Sequence, residues 1–169
     1  IDFLINQIIL LIELDDSINI NACIKKNFDN AKVSKEQIEY LIQDLKQQIS
    51  KDHSLRINHI VINEFIVDGD ILSKPPLNKS CDDLIINLKF ICFPEKLILF
   101  LEKLFKEHQI EFKSVLCSHY VKSFFSSSFQ NIFETAIAIK EGHNINEVSI
   151  IPKKPVKMGF FERFFHIFS

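Results

Sequence analysis

Short hydrophobic runs with strand-like spacing come first along the chain. Residues 5–14 form a compact run rich in isoleucine and leucine, which is typical of a buried strand. Residues 18–24 alternate apolar with polar side chains, as a strand with one covered face does. Asp15 and Asp16 lie between the two runs and can supply a turn. The pattern therefore predicts two successive β-strands before any helix.

The spacing changes to that of a helix after Val33. Ser34 and Gln37 match a capping box, in which the serine side chain accepts a backbone N–H and the glutamine side chain reaches back. Apolar residues then recur every three or four positions, at Ile38, Leu41, Ile42, Leu45 and Ile49. This spacing predicts an amphipathic helix over residues 35–50.

Further elements follow from the same two periods. Strands are predicted at residues 57–67, 83–92 and 110–116, where apolar and β-branched residues dominate. Helices are predicted at residues 95–108, 118–125 and 129–140. Residues 72–82 contain two prolines and are predicted to form an irregular connection. The central order of helix, strand, strand, helix, strand predicts a fold of the α+β class.

The C-terminal segment combines phenylalanines and basic residues in a pattern that suits a membrane surface. The phenylalanines fall at i, i+1, i+4, i+5 and i+8, which is one stripe of a helix. Fully burying one such ring stabilises by roughly 1.5–3 kcal/mol, and each lysine adds about 1 kcal/mol on an anionic leaflet. The predicted membrane-binding residues are Phe160, Phe161, Phe164, Phe165, Phe168, Lys153, Lys154, Lys157 and Arg163. The alternative is that this helix packs on its own domain.

The composition argues against most catalytic and nucleic-acid functions. A formal net charge of -2 gives no global field that would attract nucleic acid. The sequence contains only 3 glycines, so a glycine-rich phosphate-binding loop is not expected. No GxGxxG, GxxxxGK[ST] or GxSxG pattern occurs. The histidines show no HExxH spacing. We therefore expect no catalytic residue, metal or cofactor. Because glycine is scarce, we also expect Asn and Asp to occupy positions of positive φ.

The cysteines indicate a reducing compartment. They form no CxxC pair and stand at Cys23, Cys81, Cys92 and Cys117. Residues 1–14 carry acids where a secretory leader would carry basic residues, so we expect a cytosolic setting. Cys117 and His119 are the closest cysteine–histidine pair, and a nucleophilic or metal role for them is the enzymatic alternative.

The order of these motifs resembles part of the bacterial actin-like cell-division family FtsA. The family's inserted subdomain, of the SHS2 type, has a helix introduced by a Val-Ser-x-x-x-Ile segment, to which residues 33–38 are similar. Its next strand has a His-x-Ile-Pro-x-x-Tyr-x-[IV]-Asp signature, which residues 59–68 resemble. The family then has a proline, two spaced glycines and a hydrophobic strand. Here Pro76 is followed by Asn78 and Cys81 in the glycine places.

The C-terminal segment agrees with this resemblance. FtsA proteins end in a linker and an amphipathic membrane-targeting helix, to which residues 158–165 are similar. The resemblance implies a reduced, non-enzymatic division adaptor on the cytoplasmic side of the bacterial inner membrane, at the division site. It implies inner-membrane lipids, other divisome proteins and self-association as partners. The subdomain that usually contacts the tubulin-like protein FtsZ is missing, as are both phosphate loops, so FtsZ is the least supported partner and nucleotide binding is not implied.

This interpretation divides the chain into five parts. Residues 1–32 are a β-strand remnant of an actin-like subdomain and residues 33–127 are an SHS2-type interaction domain. Residues 128–141 form a C-terminal helix, residues 142–156 a linker, and residues 157–169 the membrane-targeting helix. Two alternatives remain open: an interaction module of another actin-like family, such as pilus-assembly relatives, and a degraded gene product.

Overall fold

The computed structural model describes residues 7–14, 17–126 and 131–148, which form an α+β fold. The strands are β1 (Gln7–Ile12), β2 (Ile18–Asn27), β3 (Leu55–Val67), β4 (Asp70–Leu72), β5 (Asp83–Pro94) and β6 (Glu111–Cys117). The helices are α1 (Lys35–Ile49), α2 (Glu95–Glu107), α3 (Ser118–Phe124) and α4 (Ile132–Lys140). The predicted fold class is confirmed, and the long elements lie within a few residues of their predicted positions.

The described strands form two sheets, and the chain starts in one, builds the whole of the other, and then returns to the first. An antiparallel sheet has the order β2-β5-β3-β4, and a parallel pair joins β1 to β6. Strand β2 pairs with β5 along its whole length, whereas β1 pairs with β6, far along the chain. The predicted division between residues 32 and 33 therefore does not separate two structural units. Residues on both sides of it contribute to each sheet.

Asn and Asp occupy most positions of positive φ, as the scarcity of glycine predicts. Asp68 (φ 50°) and Gly69 (φ 93°) turn the chain from β3 into β4, a short strand that the sequence pattern missed. Two consecutive residues with positive φ suit a tight hairpin, because their twist matches that of the strands. Asn78, in a place where the resembled family has glycine, has a φ of 61°. Asparagine tolerates this conformation better than most residues.

The capping box of α1 forms as predicted and orients its apolar face. The Gln37 N–H donates to Ser34 Oγ at 3.3 Å, and the Ser34 N–H donates to Gln37 Oε1 at 2.8 Å. The buried positions of this helix are Ile38, Leu41, Ile42 and Leu45. They pack on one face of the antiparallel sheet, with Leu84, Ile86, Leu88 and Phe90 of β5. Alternate residues of β5 thus form the first of two buried clusters.

A second buried cluster connects the two sheets. Ile91 and Phe93 of β5 pack with Ile98 of α2 in this cluster. Its remaining buried members come from β6, α3 and α4: Val115, Leu116, Cys117, Tyr120, Val121, Ala136 and Ile139. We call the antiparallel sheet with α1 the first lobe, and the parallel pair with α2, α3 and α4 the second lobe. The end of β5 belongs to both lobes, since its two faces pack against different helices.

Arg56 of β3 ties the antiparallel sheet to α2 through two carboxylates. Its Nε lies 2.8 Å from Glu95 Oε2, and it also pairs with Glu102, about two helical turns further on. The hydrogen bond from Arg56 lowers the pKa of Glu95. A lowered pKa in the folded state contributes stability above the usual glutamate range, and this contribution is lost as the pH falls through and below that range.

We expect Arg56→Gln to lower the free energy of unfolding by about 1 kcal/mol at pH 7, because the pairs are partly exposed. Near pH ~3 the difference from the unsubstituted protein should be smaller, since the stabilisation by the ionised Glu95 is lost as the pH falls toward its lowered pKa. Urea unfolding at both pH values measures this. Lys35→Gln, which removes the exposed pair with Glu39, is the control and should have a smaller effect. An equal Arg56→Gln effect at both pH values would contradict the electrostatic explanation.

Candidate interaction site

The predicted membrane-binding residues lie outside the described part of the chain. All of them belong to residues 149–169: Lys153, Lys154, Lys157, Phe160, Phe161, Arg163, Phe164, Phe165 and Phe168. Their prediction stays a prediction. Residues 142–148 are described and come directly before this segment. They therefore show at which point of the domain the described chain ends.

Residues 142–148, predicted as the first half of a linker, lie along the edge of β3. The Val148 N–H donates to the Ile60 carbonyl at 2.8 Å, and the Ile62 N–H donates to the Asn146 carbonyl at 2.8 Å. This edge of β3 is available because β4 pairs only with the far end of the strand. The predicted linker therefore begins too early, since its first residues are held by backbone hydrogen bonds.

Glu147 connects this segment to a buried histidine of β3. His59 is 2% exposed, and its Nδ1 lies 2.7 Å from Glu147 Oε1. On the other side of the ring, the backbone N–H of Cys117 donates to His59 Nε2 at 3.1 Å. Because Nε2 accepts a hydrogen bond, the ring proton lies on Nδ1 and is donated to the carboxylate. One imidazole thereby joins β3, the end of β6 and residues 142–148.

Tyr120 of α3 completes the contacts of this segment. Its hydroxyl donates to Glu147 Oε2 at 2.8 Å and accepts from Asn144 Nδ2 at 2.6 Å. Burial, followed by the hydrogen bond and charge of Glu147, raises the pKa of Tyr120, so the phenol keeps its proton and remains a donor. Its ring lies 4.5 Å from that of His59, measured between ring centroids. The Glu147 carboxylate thus has a donor on each oxygen.

A cleft of about 440 Å³ lies beside this network. It is bordered by β3, β6 and the end of α4, and Lys46 and Lys140 stand at it. Two buried polar atoms of its lining, Asn58 Oδ1 and Ser114 Oγ, have no hydrogen-bond partner among the described residues. Buried polar atoms are normally paired, so a group bound in this cleft would supply the hydrogen-bond partners that these two atoms lack.

The cysteine–histidine pair of the enzymatic alternative is not assembled into a site. The Cys117 side chain is 1% exposed in the second cluster, whereas the His119 side chain is 51% exposed and points toward Glu13 at 3.9 Å. At Cys92, burial raises the pKa of the thiol to about 11, which disfavours the nucleophilic thiolate. Within residues 7–14, 17–126 and 131–148, no group of three or more metal-binding side chains comes together.

The network of His59, Tyr120 and Glu147 was missed by sequence reasoning. His59 and Glu147 are 88 positions apart, and each stands in a segment with a different predicted role. The available signal was His59 at the start of the strand signature, in a strand rich in isoleucine and valine. A polar residue in such a strand needs a partner when buried, but the pattern does not say which residue supplies it.

No protein-family model matches the sequence, and no curated protein matches it. Among the described helices, none is both long and apolar enough to cross a bilayer.

Proposed function

We propose that this chain is a non-enzymatic, FtsA-like adaptor that binds the cytoplasmic face of the bacterial membrane and contacts other cell-division proteins. The phenylalanine stripe of residues 160–168, with lysines upstream, is the observation that carries the proposal. Rings at one face of a helix and cations beside them are the two features of peripheral membrane helices. The resemblance in motif order directs this membrane affinity to the division site.

Two features of the described fold support such an adaptor. The elements α1, β3, β5, α2 and β6 occur in the order that the resemblance implies, with the additional short β4. The segment before the tail is held to β3 and α3 by Glu147, so a membrane-bound tail would keep the domain close to the bilayer. Both imidazole nitrogens of His59 and both oxygens of Glu147 are used in these contacts, which gives the network a structural role.

The membrane part of the proposal is tested with vesicles that contain anionic lipid. We expect the full chain to sediment with them and a chain ending at Pro155 to stay in the supernatant. In the full chain, Phe164→Ser with Phe165→Ser should weaken binding about 100-fold, because two partial insertions of roughly 1.5 kcal/mol each are lost. Phe133→Ser is the matched control, since this phenylalanine is 67% exposed on α4.

Equal sedimentation of the full and shortened chains would refute the tail as an anchor. The division part is tested separately, by imaging tagged full and shortened chains in dividing bacterial cells. We expect the full chain to concentrate at mid-cell and the shortened chain to be diffuse. Membrane binding without mid-cell enrichment would favour the pilus-assembly type of module, and normal division after deletion would favour a degraded gene product.

A further inference from the structure

Helix α2 has an apolar surface that nothing in the described fold covers. Ile98 packs into the second cluster at 1% exposure, and the opposite side of the helix faces outward. On that outer side Leu99 is 50%, Phe100 61% and Leu104 39% exposed. Phe100 and Leu104 are four positions apart, so their side chains lie next to each other. A large aromatic ring and two leucines are therefore held together in solvent.

The outer side of α2 also carries unbalanced positive charge. Its exposed cations are Lys96, Lys103 and Lys106, and no salt bridge joins any of them to a described acidic residue. The helix contains acids that could neutralise them, but Glu95 and Glu102 pair with Arg56 of β3. Glu107 is the acidic residue that remains exposed on α2. Because Arg56 occupies the other carboxylates, the outer side is net basic as well as apolar.

We propose that α2 is a second membrane-contact site, which lies on an anionic lipid surface with Phe100 and Leu104 inserted and its lysines at the headgroups. The proposal rests on the proposed function, since it assigns part of the membrane affinity to the folded domain. The lysines that alternate with apolar residues on α2 favour a lipid surface over a protein as the binding partner. Protein interfaces are depleted in lysine at their core, whereas an interfacial helix keeps its lysines among the headgroups and buries their aliphatic stems.

Both contact sites belong to one short stretch of polypeptide and its folded domain. Helix α2 is about 20 Å long, and the chain from Val148 to Phe160 can span at most about 40 Å. The two sites are therefore linked within one polypeptide, and binding of one raises the effective concentration of the other. A weak contact by α2 would consequently strengthen the binding of the whole chain and orient the domain on the bilayer.

The test uses the full chain and sedimentation with vesicles of phosphatidylcholine alone or with phosphatidylserine. Lys96→Glu with Lys103→Glu should weaken binding to the phosphatidylserine vesicles about tenfold or more. Phe100→Ser with Leu104→Ser should weaken it by a similar factor. The matched controls are Lys51→Glu with Lys74→Glu, which changes net charge equally, and Ile71→Ser, whose side chain is 68% exposed. Far-UV circular dichroism and urea unfolding show that each variant is folded.

The outcomes separate this inference from the proposed function. If both α2 variants bind like the controls while the Phe164→Ser with Phe165→Ser variant does not bind, α2 makes no membrane contact and the tail anchor stands. If the α2 variants lose binding and the tail variant keeps it, the tail anchor fails and the α2 contact stands. If weakening by the lysine variant is the same on both vesicle types, the contact is not electrostatic and the inference is overturned. Retained vesicle binding together with loss of self-association would assign α2 to a second copy of the chain instead.

Discussion

Replacing His59 by alanine should lower the free energy of unfolding by about 2–4 kcal/mol. The substitution leaves the buried Cys117 N–H without an acceptor and one Glu147 oxygen without a donor, and each unsatisfied buried group costs about 1–3 kcal/mol. The missing ring also leaves a cavity, because His59 is 2% exposed. Urea unfolding followed by circular dichroism measures the change, and hydrogen exchange should show faster exchange at the Cys117 amide and at residues 146–148.

His119→Ala is the matched control for this substitution. His119 belongs to α3 but is half exposed, and its distance to Glu13 is 3.9 Å, so its removal should change stability by less than about 0.5 kcal/mol. A His59→Ala protein that unfolds like the control, and whose amides at residues 146–148 also exchange like those of the control, would show that the network does not hold residues 142–148. Faster exchange at residues 146–148 alone, without lower stability, would limit the role of His59 to that segment.

Replacing Phe93 by alanine should have the largest effect on stability, about 3–5 kcal/mol. Phe93 is fully buried and extends from β5 into the cluster that contains β6, α3 and α4. Its removal therefore weakens packing between the two lobes as well as within one. We expect a lower urea midpoint. If the two lobes unfold separately, the transitions followed by fluorescence and by circular dichroism should no longer coincide.

Phe133→Ala tests whether this effect arises from burial. The Phe133 side chain is 67% exposed on α4, so the same chemical change there should cost little. A loss for Phe93→Ala of less than about 1 kcal/mol would mean that the second cluster does not join the lobes. A single, coincident transition at a lower urea concentration would mean that the lobes unfold together.

The elements of the fold were predictable because each has a local signal. The capping residues Ser34 and Gln37 located the start of α1, and the two periods of hydrophobic spacing located the long strands. Strand β4 was missed because Asp68 and Gly69 mark the end of a strand and the turn of a hairpin equally well. Which strands pair could not be predicted from periodicity, which reports only that one face of β2 is buried.

The candidate site was less predictable because its contacts join distant parts of the chain. Glu147 looked like one polar residue of a linker, and only its distances to His59 and Tyr120 show that it is fixed. The apolar residues of α2 cover a broad face of the helix, but Phe100 lies on its solvent side. Spacing gives the width of an apolar surface, and the neighbouring elements decide how much of it is covered.

The parallel pairing of β1 with β6 has a consequence for synthesis on the ribosome. Ile12 pairs with Cys117, so β1 has emerged about a hundred residues before its partner exists. The antiparallel sheet from β2 to β5 can close earlier, because all its strands precede α2. Until β6 has been synthesised, the isoleucine-rich β1 is an unpaired apolar strand. Such segments tend to aggregate or to bind a chaperone. Translation speed between α2 and β6 should therefore influence the yield of folded protein more than speed elsewhere.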